Sequence, residues 1–94
     1  MATIQFRTPN ASGTRDFDSE ITVGRAADCD LVLDSPDVSR RHGTLSHRDG
    51  AIYFTDLGSA NGSRLNGARV QPNVATPVAA GDTLALGNCT LTLT

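Results

Sequence analysis

The last six residues, Cys89-Thr90-Leu91-Thr92-Leu93-Thr94, place an apolar side chain at every second position and a threonine at each position between. In extended backbone, successive side chains point to opposite faces. The segment therefore reads as a half-buried strand, apolar on one face and hydroxylated on the other. The same period of two recurs upstream. Ile4 and Phe6 alternate with Gln5 and Arg7, and Ile21 and Val23 flank Thr22. Ile52 and Phe54 alternate with Tyr53 and Thr55, Leu84 and Leu86 form a further pair, and Leu31-Val32-Leu33 is a short apolar burst. No long helical period appears.

Turn chemistry separates these runs: Asn10-Ala11-Ser12-Gly13, Ser35-Pro36-Asp37, Arg48-Asp49-Gly50, Asn61-Gly62, Asn66-Gly67 and Ala80-Gly81-Asp82. Asp-Gly and Asn-Gly suit tight hairpins because both residues tolerate positive φ. About ten short strands with close turns predict an all-β fold, an antiparallel β-sandwich filling residues 1–94 as a single domain. Pro72 and Pro77 flank Val74, which makes that stretch an edge strand or a loop.

At 94 residues the chain has room for one modest core and little for a catalytic cavity. The formal charge of −2 argues against a general binder of nucleic acid or anionic membrane. Every base is arginine; genome composition is one account of this, and arginine's planar, bidentate grip on oxyanions is another. No apolar run is long enough to span a bilayer, and the N-terminus lacks the pattern of a signal peptide. Cys29 and Cys89 are expected as small buried residues in a reducing cytoplasm. Cys29, His42, His47 and Cys89 lack zinc-type spacing, so no metal is expected, and no cofactor.

Three loops are richer in special residues than simple turns require: Gly24-Arg25-Ala26-Ala27-Asp28-Cys29-Asp30, Ser35-Pro36-Asp37-Val38-Ser39-Arg40-Arg41-His42, and Asp56-Leu57-Gly58-Ser59-Ala60-Asn61-Gly62-Ser63. Each has an ordinary reading. Gly24 allows a bend, Arg25 is a surface charge, Ser39 caps a turn, His42 is a buried histidine satisfied by backbone, and Asn61-Gly62 is a turn. Together, Arg25, Ser39 and Arg40 supply the convergent donors a phosphate dianion needs, while Asn61 can both donate and accept. A sandwich gathers its loops at two ends, so the three can meet.

The ordered series Gly24-Arg25, Ser39-Arg40-Arg41-His42 and Asn61-Gly62 resembles the signature of the forkhead-associated (FHA) domain, over roughly residues 21–70. Asp30-Leu31-Val32-Leu33, Asp56-Leu57-Gly58-Ser59 and Asn66-Gly67 add to the likeness. The resemblance implies a non-enzymatic, phosphothreonine-dependent protein-binding module. Its partner would be a phosphothreonine-bearing protein or peptide, such as a Ser/Thr protein kinase or its substrate, met by a monomer. Residue by residue, it implies that Arg25, Ser39 and Arg40 bind phosphate and that Asn61 holds the peptide main chain. Gly24, His42 and Gly62 would be structural. Flanking specificity falls to Asp37, Arg41, Ala60 and Arg64, with Ala60 departing from the Ser or Thr common before the Asn-Gly pair.

Rival readings are a phosphate-independent interaction module using another face, an enzyme with Ser39 as nucleophile, His42 as base and Asp37 as orienter, and a nucleic-acid binder using Arg40 and Arg41. The second lacks a nucleophile-elbow pattern. The third lacks a basic stripe or aromatic platform.

Overall fold

The computed structural model describes residues 1–94, which form eleven strands and no helix. A six-stranded sheet runs in the order β2 (Ser12–Phe17), β1 (Ala2–Arg7), β11 (Cys89–Leu93), β10 (Thr83–Leu86), β7 (Ser63–Leu65) and β8 (Ala68–Arg69). A five-stranded sheet runs β4 (Leu31–Val32), β3 (Glu20–Gly24), β5 (Gly43–Arg48), β6 (Ala51–Asp56) and β9 (Thr76–Val78).

Alternation decides which side chains meet between the sheets. In one sheet Ile4 lies opposite Leu93, Leu84 opposite Leu91, and Leu86 opposite Cys89. In the other, Ile21 faces Leu45, Leu45 faces Phe54, and Ile52 faces Val78. These residues belong to one cluster of 17 buried apolar side chains, the main source of stability. The threonines of β11 stay on the outer face, and Thr83 and Thr92 bond across it at 3.2 Å. Both cysteines are free and buried, and burial pushes the Cys89 thiol up.

One detail departs from the expected antiparallel sandwich. All pairings are antiparallel except β3 with β4, which is parallel, so the second sheet is mixed. Leu31 and Leu33 dip into the core while Val32 faces out, and Leu33 N bonds Gly24 O at 2.8 Å to close that crossover. The eleven strands agree with the expected number of about ten. β2 reads Ser-Gly-Thr-Arg-Asp-Phe and buries only Phe17; an edge strand needs no continuous apolar face, so periodicity does not reveal it. Pro77 sits in β9 at a sheet edge, where its missing N–H costs no ladder bond.

Candidate functional site

β3, β5, β6 and β7 begin or end at one pole of the sandwich, and the three unusual loops join there through one another's backbones. Arg25 N donates to Ser39 O at 3.0 Å, and Ala26 N to Arg40 O at 3.0 Å. Ala60 N donates to Ser39 Oγ at 3.0 Å, and Asn61 Nδ2 to Asp37 O at 2.7 Å. Gly24 is required by this close approach: a Cβ there would lie 2.2 Å from Arg40 O.

Beneath the rim is a buried polar network. His42 Nδ1 accepts the backbone N–H of Ser39 at 3.1 Å. The ring proton therefore sits on Nε2, which donates to Gly62 O at 3.0 Å and Ser63 Oγ at 3.1 Å. Ser63 in turn donates to Asp56 Oδ2 at 2.5 Å. Asp56 Oδ2 also accepts Ser59 Oγ at 2.6 Å, and Oδ1 accepts Gly58 N and Ser59 N at 2.8 Å each. Burial pushes the Asp56 carboxyl up, but these bonds outweigh it and hold the group below the ordinary carboxylate value. Burial dominates at His42 and pulls it below 6.5, against the raising influence of Gly62 and Asp56, so the ring is neutral near pH 7.

His42 is fully buried and bonds the second loop to the third. Asp56, which the sequence offers only within a motif, is the acceptor around which the third loop is wound. Its signal was an Asp at a strand end followed two and three residues later by Gly and Ser, the pattern of a side chain capping its own turn.

The upper surface carries donors that the protein does not use. Arg25 is exposed and tethered only through Nε, which donates to Val38 O at 3.1 Å, so both terminal nitrogens are unspent. Ser39 Oγ accepts from Ala60, which leaves its own proton to donate. The Arg40 guanidinium is exposed and bonds nothing in the protein. Asn61 keeps its carbonyl oxygen and one N–H. Arg41, by contrast, is committed to Asp28 at 2.6 Å and ties the first loop to the second. Ala60 contributes its backbone N–H to the Ser39 hydroxyl. Asp37 lies exposed beside Asn61, and Arg64 is exposed on the outer face of β7, paired with Arg69 of β8. Gly62 adopts φ +73°, which suits glycine, with Arg69 packed over it. His42 faces the Ser39 backbone rather than its hydroxyl, so Ser39, His42 and Asp37 do not form a nucleophile, base and orienter.

The family model of the FHA domain matches residues 21–87. The chain belongs to the FHA family. FHA domains are binding modules known for recognising phosphothreonine. This FHA domain is 35% identical over 88 residues to the FHA domain-containing protein PS1 of Arabidopsis thaliana, covering 86% of this chain and 6% of PS1. It spans far less than the length of that relative. Among solved structures, the FhaA FHA domain complexed with the intracellular domain of Rv3910 superposes with a TM-score of 0.88 at 27% identity, covering 100% of both chains. A structure from an analysis of phosphothreonine-dependent FHA domain interactions gives 0.86 at 28% identity, covering 98% of this chain and 93% of the other.

Proposed function

We propose that this FHA domain binds a threonine-phosphorylated segment of a partner protein, of the class that a Ser/Thr kinase produces, at the pole carrying Arg25, Ser39 and Asn61. What supports the reading is that the loops carrying these unspent donors are bonded to one another at one pole, over a buried polar network. A phosphothreonine carries about −1.5 to −2 charges near neutral pH and three acceptor oxygens. The terminal nitrogens of Arg25, the Ser39 hydroxyl and the Arg40 guanidinium meet it, and Asn61 bonds the peptide main chain and keeps it extended.

Preorganisation makes this effective. Arg25 is already tethered to Val38 O, so less rotamer freedom is lost on binding. Charge-assisted hydrogen bonds contribute roughly 1.5–3 kcal/mol each. Two or three of them, after desolvation and peptide ordering, give a complex near −8 kcal/mol, about micromolar. Unmodified threonine offers no charge and binds far more weakly. Asp37, standing beside Asn61, disfavours an acidic residue of the peptide at its own position.

The location is tested by titrating the isotope-labelled domain with a degenerate phosphothreonine peptide library. Amide signals of residues 24–26, 37–42 and 59–62 are expected to move, while those of the outer strand β2 stay. Movement confined to other surfaces overturns the assignment and favours a phosphate-independent interaction module.

A further inference from the structure

Across the outer face of the six-stranded sheet, the register aligns Arg7, Thr90, Ala85, Arg64 and Arg69 in one continuous row. Arg64 and Arg69 are direct partners on β7 and β8, both exposed, and neither makes a side-chain hydrogen bond or an ion pair. Like charges directly opposite each other on an antiparallel pair are destabilising. Here no acid relieves them, since Ala85 and Thr90 continue the row. The pair is also joined to the rim: a Cβ added to Gly62 would lie 2.9 Å from Arg69 Nη2, and Gly62 follows Asn61 directly.

We propose that Arg64 and Arg69 form a second anion site, which receives an acidic side chain of the same partner segment a few residues from its phosphothreonine. This rests on the function proposed above. A chain held at Asn61 that continues over Gly62 meets the paired guanidinium groups next, and a carboxylate or second phosphate there relieves their mutual repulsion.

The test uses phosphothreonine peptides with a common core and flanks of glutamate, glutamine or a second phosphothreonine. They are titrated into the parent domain and into Arg64→Gln/Arg69→Gln. On the parent domain the glutamate flank is expected to bind about three- to tenfold tighter than glutamine, a gain that shrinks in high salt. The second phosphate is expected to do at least as well. On the double variant the flanks converge, glutamine-flanked affinity is unchanged, and the melting temperature is equal or higher. Equal affinities on the parent domain, or a gain that survives in the variant, overturn the site. If no phosphorylated core binds, the function proposed above has failed by itself. The Nε–Hε signals of Arg64 and Arg69 then decide this site, titrated with the glutamate-flanked peptide lacking phosphate: movement supports it and constancy overturns it.

Discussion

At the pole that carries Arg25 and Ser39, the loops are held by contacts between residues far apart in sequence: Ser39 with Ala60, Asn61 with Asp37, His42 with Gly62 and Ser63. At the opposite pole the turns are narrower and mostly locally determined. Asp49 and Asn66 adopt positive φ beside Gly50 and Gly67, and Asp82 accepts Ala79 N three residues away. The hairpin pole rests on residues that tolerate its backbone angles, with Asn66 also bonded to Asp82 and Thr83. The rim needs an internal polar framework, because the outward donors of Arg25 and Arg40 do not satisfy one another. Asp56 and His42 build the rim from below, while Arg25 and Arg40 stand exposed on it.

The largest effect is expected from Asp56→Ala, which removes the shared acceptor of Gly58 N, Ser59 N, Ser59 Oγ and Ser63 Oγ. Loss of a buried charge network of this kind costs about 3–5 kcal/mol, read by urea denaturation. A loss under 1 kcal/mol breaks the claim that the rim is built around this carboxylate.

His42→Ala should follow at about 2–4 kcal/mol, from the cavity and the stranded Ser39 N–H and Gly62 O. Acid probes the same residue without mutation. The folded His42 is held below 6.5, so the unfolded chain takes up more protons below that value and stability falls as pH drops from about 6.5. The lowered Asp56 adds a second loss as pH falls below about 3.8 and through its folded value. Denaturation curves at pH 7, 5.5 and 4.5 check the sign; stability that rises on acidification contradicts a neutral buried imidazole.

At the other pole, Asn66→Ala should cost only about 1 kcal/mol, for a positive-φ residue that also bonds Thr83 N. It should leave phosphopeptide affinity unchanged. A large drop in affinity would show that the two poles are coupled. The smallest effect on stability is expected from Arg25→Ala, within about 0.5 kcal/mol because the side chain is exposed. A drop of several degrees in melting temperature would make Arg25 part of the framework.

The contrast also explains what could be read in advance. Strands with one buried face, such as Ile21-Thr22-Val23 and Cys89 to Leu93, announce themselves by alternation, as do hairpins written Asn-Gly or Asp-Gly. β2, whose only buried side chain is Phe17, carries no such signal. The parallel β3–β4 pairing depends on how residues 25–30 return, which no local pattern encodes. At the rim, the candidate donors Arg25, Ser39 and Arg40 are named by their residue types and by the family resemblance. That Arg41 is spent on Asp28 and that the Ala60 backbone fixes the Ser39 hydroxyl are long-range facts, visible only in three dimensions.

The measurement closest to the central claim is calorimetric titration of this domain with matched peptides drawn from the best phosphothreonine sequences of a library, each in phosphorylated and unmodified form. Micromolar binding of the phosphorylated form, no measurable heat from its unmodified twin, and loss of binding in Arg25→Ala with melting unchanged are the results expected. Equal affinity for the two forms would contradict it.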